Sequence, residues 1–346
     1  MRVSSIGLDI AKRVFHLVVL DEDGKQRLSK QLKREQVLEY FAEQEVRCVV
    51  GIETCGGAHD WARKLQELGY QVKLMSPKAV KAYRTKTKND YNDARAIAEA
   101  ATREQVRAIQ VKSRAQQDLQ AVHKAREMAK KQRNQQANQI RGLVAEYGLV
   151  IALGVKALRA QVPQLLEDAE NGLSDRFREL LHAQFQLLEV LQSSLDEHDQ
   201  RLRRAQAQDT QAKRAAEVPG VGVVTSSAVG ALHGDLKHFA GGRDFAAAIG
   251  LVPRQDSTGG RTRLLGINKH TDPYLRTLFI HGARAVLRSA AKRPDDPLSQ
   301  WALRVRERRG ANIAAVALAN KLARITWAVL ARDERYCAHK LRGAPA

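Results

Sequence analysis

Cysteine is scarce in this chain of 346 residues: Cys48, Cys55 and Cys337 make an odd count, with no Cys-x-x-Cys pair among them. Neither a disulfide framework nor a zinc site is indicated, and the three read as the reduced thiols of a cytoplasmic protein. Long apolar runs are missing too. No stretch approaches 18 consecutive apolar residues, so no bilayer-spanning helix and no membrane partner is expected. The opening MRVSSIGLDIAK has an acid where a signal peptide needs its apolar core, so export is not expected. Negative charge is also in short supply, with 38 Asp and Glu against 58 Lys and Arg, a net charge of +20. Such a balance calls for a polyanionic partner. What remains is the composition of a folded globular protein, 44% hydrophobic and 28% charged, long enough for two or three domains.

Against that basic background, four acids stand in unusual places. Asp9 in GLDIAK and Glu53 in GIETCGG each close an apolar run that reads as a buried strand. A carboxylate emerging there must reach water or find a partner, since an unpaired buried charge costs several kcal/mol or more. Asp90 and Asp93 in KNDYNDARAIAEA are three residues apart at the start of a helical pattern, on one face and near its positive end. None of the four has an obvious local Lys or Arg partner at helical spacing. Taken singly they read as turn or cap residues; taken together they suggest a divalent cation, and hard oxygen donors select Mg²⁺ or Mn²⁺.

Residues 1 to 112 alternate strands and helices. Strands are predicted at Val3–Asp9, Val14–Leu20, Gln26–Leu32, Arg47–Glu53 and Tyr70–Met75, with helices at Glu35–Gln44, Ala58–Leu68 and from Asp90. Three antiparallel strands followed by helix, strand, helix, strand and helix is the order of a ribonuclease-H-like (RuvC-like) α/β domain, in which the first and fourth strands are neighbours. Asp9 and Glu53 then lie side by side, with the acidic helix closing over them. The connecting segment carries Lys78, Lys81, Arg84, Lys86 and Lys88 interleaved with Tyr83 and Tyr91, either a solvated loop or a phosphate-binding one.

Residues 113 to 214 are poor in Gly and Pro. Apolar residues recur at helical spacing along Leu119, Val122, Ala125, Ala129, Ile140, Leu143 and Tyr147, and again along Phe177, Leu181, Leu188, Leu191, Leu195 and Leu202. This predicts long helices paired as an antiparallel hairpin or coiled coil, an oligomerisation element with a basic outer face.

Residues 215 to 346 read as a mostly α domain. In VPGVG, Gly220 and Gly222 resemble a helix-hairpin-helix turn that brings backbone amides to a phosphate, or a tight turn between packed helices. Downstream, DSTGGRTR offers Ser257 and Thr258 before two glycines, then Arg261 and Arg263, with Lys269 and Arg276 following. The arginines can clamp phosphate oxygens and the serine can act as a nucleophile toward phosphorus, although the same residues also make an ordinary polar turn.

Together GLDIAK, GIETCGG, KTKNDYNDARAIAEA, VPGVG and IGLVPRQDSTGG with LLGINKHTDPYLRTLFIHGARAVL resemble the insertion-sequence transposases of the Asp-Glu-Asp-Asp (DEDD) type. The resemblance is to the insertion sequence one-ten family and its one-eleven-eleven subgroup, with Piv-type invertases as relatives. It implies a RuvC-like catalytic domain, a coiled-coil insert and a separate transposase domain. It further implies Mg²⁺ held by Asp9, Glu53, Asp90 and Asp93, and a serine, here Ser257, that forms a covalent phosphoserine with DNA. Many members of that family have serine immediately before the first glycine of the motif, where this chain has Thr258, so Thr258 stays in reserve. The partners implied are donor and target DNA, a structured bridge-type guide RNA from the element's noncoding end, and further copies of the chain, as homodimers or homotetramers with composite active sites. The expected setting is a bacterial-type cytoplasm, at the nucleoid. Two other readings use the same residues: a junction-resolving or hydrolytic nuclease that activates water at the acids, and a non-catalytic nucleic-acid-binding protein.

Overall fold

The computed structural model describes residues 3–84, 89–267 and 272–338. Lys86, Lys88 and Lys269, three of the expected phosphate-binding residues, lie outside the described residues. The chain forms two compact units, Met1–Ser113 and Arg114–Ala346.

The first unit is a mixed α/β sheet with helices on both faces. Its strands are β1 (Val3–Asp9), β2 (Val14–Asp21), β3 (Gln26–Lys33), β4 (Val49–Glu53) and β5 (Gln71–Met75), in the order β3-β2-β1-β4-β5. The first three are antiparallel, whereas β4 pairs parallel with β1 and β5 parallel with β4. Alternation along the strands divides the two faces. Ile6, Leu8, Phe15, Leu17, Val50 and Ile52 face α1 (Val37–Glu43) and α2 (Ala58–Glu67), which contribute Phe41, Trp61 and Leu65 to that core. Val18 and Leu20 pack on the other face, against Ala94 and Ala98. Those two alanines belong to α4 (Asp90–Thr102), which follows the short α3 (Pro77–Lys81).

The docking of α4 is set by two glycines. Gly7 of β1 and Gly51 of β4 are register partners in the parallel ladder. A Cβ at Gly7 would collide with the Ala94 carbonyl, and one at Gly51 would stand 2.8 Å from the Ala101 Cβ and 2.9 Å from the Ile97 carbonyl. The paired glycines therefore form a notch that lets the helix backbone lie directly on the sheet, and Ser5 Oγ donates to the Ala98 carbonyl at 3.0 Å.

The second unit is mostly helical. Helices α5 (Arg114–Ala145) and α7 (Asp175–Gln208) run antiparallel, because Arg126 meets Asp199, Arg133 meets Gln192 and Gln136 meets Gln184. Leu181, Leu188, Leu195 and Leu202 are buried at heptad spacing along α7, while the α5 side of the contact is mixed, burying His123 and Gln136 beside Ala129, Ala137 and Ile140. Helix α6 (Val155–Glu167) packs on the far end of this pair.

Helices α8 (Thr210–Ala216), α9 (Val223–His233), α10 (Gly242–Ala248), α11 (Pro273–Ser289), α12 (Pro297–Arg309) and α13 (Ala311–Ala331) complete the unit around one apolar core. Proline at the first position and an aspartate cap start α11 and α12: Asp272 accepts from the Tyr274 amide at 2.9 Å and Asp296 from the Ser299 amide at 2.9 Å. Helix α13 is long and apolar enough to cross a membrane by length and composition, but Asn312, Asn320, Lys321 and Arg324 interrupt it, and half of it is buried in the unit's own core. Between α10 and α11 the chain makes a hairpin, β6 (Pro253–Thr258) and β7 (Arg261–Ile267).

Candidate active site

In the first unit the acids follow from the strand register. Ser5, Gly7 and Asp9 alternate onto the α4 side of β1, as Val49, Gly51 and Glu53 do on β4, so both carboxylates leave the sheet at neighbouring strand ends on the side where α4 lies. Asp90 and Asp93 occupy the first turn of α4, whose start is capped by Asn89 Oδ1 accepting from the Asn92 amide at 2.7 Å. The convergence is visible in Asp9. Its pKa is pushed up from 3.8 to about 6 by burial first, then by the negative fields of Asp93, Asp90 and Glu53, with His16 opposing. All three other acids are thus near enough to disfavour ionisation of Asp9.

Two neighbours were missed by reading local spacing. His16 is the cross-strand partner of Asp9, and its Nδ1 lies 3.6 Å from Asp90; its ring also meets Tyr91 edge-on at 4.8 Å. Arg84 Nε stands 2.5 Å from Asp93 Oδ1, an ion pair whose angle makes no hydrogen bond. Arg84 thus reaches Asp93 from outside the helix, a counter-charge that helical spacing does not show. His16 follows from the antiparallel β1–β2 register, in which it pairs with Asp9; nothing in the spacing identifies Arg84. Cys55 also borders the site, its thiol pushed up by burial and by Asp9 and Glu53, so it stays protonated.

Among the described residues, no three His, Cys, Asp or Glu side chains stand close enough to grip a single ion. Donor chemistry nevertheless fits a divalent cation: four hard carboxylates repel one another at Asp9, and an ion between them would remove that repulsion. Closing on it requires the side chains to draw inward and Asp93 to share or leave Arg84.

In the second unit Ser257 sits near the tip of the β6–β7 hairpin. Gly259 and Gly260 form the two-residue turn, with φ of +58° and +76°, the left-handed geometry that a two-residue hairpin turn demands. The motif that also reads as a polar turn is the tip of a strand pair within a region read as mostly α. Ser257 is exposed and opposite Thr262, and its Oγ accepts from Gln255 Nε2 at 2.7 Å. Cross-strand partners share a face, which puts Gln255, Ser257, Thr262 and Leu264 on one side. Asp256, Thr258, Arg261 and Arg263 lie on the other. The arginines expected beside the serine thus flank Thr258 instead. Arg276 lies half-buried on α11.

Gly220 has φ +80°, and a Cβ there would stand 2.8 Å from the Gly282 carbonyl of α11. Backbone packing between helices thus accounts for Gly220, whereas Gly222 is exposed at the start of α9.

Comparison with known proteins agrees with this make-up. Residues 6–148 match the DEDD transposase model of IS110, and residues 212–296 match the model described as transposase IS116/IS110/IS902 family. A probable family 20 transposase of Pseudomonas aeruginosa is 42% identical over 97% of this chain and 99% of its own length. The transposase for insertion sequence element IS1111A of Coxiella burnetii is 42% identical over 96% of this chain and 91% of its own. The transposase for IS1328 of Yersinia enterocolitica is 35% identical over 94% and 96%. A chain with this acid-lined α/β unit and these relatives is a transposase, an enzyme that cuts and joins DNA. It belongs to the IS110 family.

Proposed function

We propose that this transposase cuts and rejoins DNA through a covalent bond to Ser257, with Asp9, Glu53, Asp90 and Asp93 of a RuvC-like unit holding Mg²⁺ or Mn²⁺. The observation that carries the reading is the convergence of three carboxylates on the half-buried Asp9. A bound divalent ion would supply charge neutralisation at the phosphate oxygens. Ser257 Oγ bonds to phosphorus while the bond to the 3′ oxygen breaks; the serine proton passes to solvent and the departing 3′ oxygen takes one up. Rejoining reverses these steps at a second DNA end, and the phosphoester keeps the bond energy meanwhile. Gln255 orients the serine oxygen. Arg261 and Arg263, exposed on the opposite hairpin face, position flanking phosphates.

The same reading assigns an element-encoded guide RNA that pairs with donor and target DNA. It also assigns assembly into dimers or tetramers in which acids and serine come from different copies. Work at the bacterial nucleoid follows from the substrate. Its support is the family together with the net charge of +20.

The test is an adduct assay with end-labelled DNA, Mg²⁺ and the RNA that co-purifies, sequenced and compared with the DNA flanking the gene. Ser257→Ala removes the protein–DNA adduct while nucleic-acid binding stays within about threefold, whereas Thr258→Val keeps it. Asp9→Asn and EDTA each remove cleavage. An adduct surviving in Ser257→Ala moves the nucleophile to Thr258. Free ends with no adduct in the unaltered protein make the enzyme a hydrolytic nuclease, and unchanged function after substitution of every acid makes the site non-catalytic.

A further inference from the structure

The second unit holds a groove of about 1440 Å³ between α13 and the base of the hairpin. Its floor is the outer face of α13. That helix is apolar on two sides: Leu318, Leu322 and Val329 enter the core, while Ile313, Val316 and Ala317 line the groove. Ile313 is 54% exposed, as is 63% of Leu264 on the hairpin wall. Water-facing apolar residues concentrated in one concavity call for an occupant.

The charge of the lining says what kind. Arg243, Arg309, Lys321, Arg324 and Arg332 border the groove, and no carboxylate is among the described residues that line it. Lys321 Nζ stands 4.3 Å from the Trp301 ring centroid and Arg332 Cζ 5.5 Å from that of Trp327. Burial first, then the neighbouring charges of Arg324 and Arg304, lower the pKa of the Lys321 ammonium. An apolar floor under a cationic rim suits an unpaired nucleic-acid strand, whose bases and sugars seek cover while its phosphates seek cations. A duplex keeps its base faces stacked inside and leaves the apolar floor uncovered.

Position selects the strand. Leu264, on the groove wall beside Leu265 and Ile267, shares its hairpin face with Ser257, which lies two strand positions nearer the hairpin tip. We propose that this groove binds one unpaired DNA strand and leads it to Ser257, with its phosphates on Arg243, Lys321, Arg324 and Arg332 and its bases against Ile313 and Leu264. The proposal rests on the serine reading above for its direction, not for its binding.

The test measures binding of full-length protein to a fluorescent 20-nucleotide single-stranded DNA by anisotropy across a salt series. An RNA and a DNA duplex of the same sequence run alongside. The exposed triple variant Arg243→Ser/Arg324→Ser/Arg332→Ser weakens single-stranded DNA binding at least tenfold and lowers the log–log salt slope by about 2, from roughly 0.7 per lost phosphate contact. Ile313→Glu, also at an exposed position, weakens it at least threefold. The charge-matched control Arg201→Ser/Arg203→Ser/Arg204→Ser, at exposed positions on α7, changes it less than twofold.

Unchanged binding in the triple variant and in Ile313→Glu overturns the proposal. So does a loss confined to RNA or to duplex, or a change of oligomeric state with strand binding intact. Ser257→Ala separates the two readings. If it retains strand affinity while the unaltered protein forms no adduct, the serine mechanism fails and the groove stands; an adduct that forms normally in the triple variant leaves the serine and removes the groove.

Discussion

A single missing methyl group holds the acids in place. Gly7 and Gly51 lie opposite each other, two residues before Asp9 and Glu53, and α4 rests on both. Gly7→Ala drives a Cβ into the Ala94 carbonyl, a backbone atom that no rotamer change can move. We expect a loss of about 1–3 kcal/mol in urea denaturation from such overpacking. Cleavage should fall further than stability explains, because Asp90 and Asp93 ride on the displaced helix. Gly142→Ala is the contrast: it lies inside α5 with open space at its Cβ, and should gain about 0.5–1 kcal/mol from helix propensity. A Gly7→Ala protein with unaltered stability and cleavage would remove the notch from the account. At this scale the sequence was readable for the placement of Asp9 and Glu53, because acids at the ends of apolar strands violate the burial pattern, and for that of Asp90 and Asp93, three residues apart in the first turn of a helix. Arg84 was not readable, since its distance from Asp93 in space has no counterpart in helical spacing. The sidedness of the hairpin was hidden too: which face Arg261 shares depends on a two-residue turn that fixes register.

Among the elements, three helices of the second unit meet at His123. Ser227 Oγ of α9 donates to the Val223 carbonyl at 2.8 Å and so can accept from His123 Nε2 at 3.1 Å. His123 Nδ1 then accepts from the Tyr274 hydroxyl of α11 at 2.9 Å, which places the neutral Nε2–H tautomer on α5. Burial first, and then Arg126, lower the pKa of His123 from 6.5 to about 4. A depressed folded value means that the unfolded chain takes up the proton first as pH falls. Stability is therefore complete above about 6.5 and declines between there and 4. Urea denaturation at pH 5 should give a stability on the order of 1–2 kcal/mol below that at pH 7 from this group. His59 adds to the decline in the first unit: burial, Lys112 and Arg63 lower its pKa to about 4, and its Nδ1 accepts from the Lys112 amide. In His123→Gln the difference between the two pH values should shrink; a difference of unchanged size would place the titration elsewhere. The stripe that predicted the long helices was read well along α7, where leucines recur every seven residues. It was read less well along α5, where His123 and Gln136 are buried instead of Leu119 and Val122. Polar residues that satisfy one another across a helix pair leave no apolar period to find. The first unit was legible nearly strand by strand, because alternation and glycine-ended helices are local signals.

For the whole molecule, the excess of 58 basic over 38 acidic residues is the largest fact that the sequence states, and it bears on binding more than on folding. Of the acids, Asp199 is tied to Arg126, Asp21 to Arg27 and Glu189 to Arg159, so part of the negative charge is spent within the protein. Exposed arginines line the groove, where no carboxylate is among the described lining residues, and Arg261 and Arg263 stand on the hairpin face that also carries Asp256. A protein that meets DNA through such a surface displaces condensed counter-ions, and each phosphate neutralised adds about 0.9 to the log–log salt slope on duplex or about 0.7 on a single strand. With roughly six to ten phosphates engaged, raising salt from about 50 to 200 mM should weaken DNA binding about 10³- to 10⁵-fold. Screening of Asp9 by its neighbours acts over a few ångströms and changes little across that range. Cleavage by preformed complexes, trapped at low salt and then shifted, should therefore decline only as complexes dissociate. Anisotropy and adduct yield measured on the same samples separate the two effects. A salt slope below about 2 would mean that the positive charge is not the surface on which DNA lies, and the groove and hairpin arginines would then lose their assigned role together.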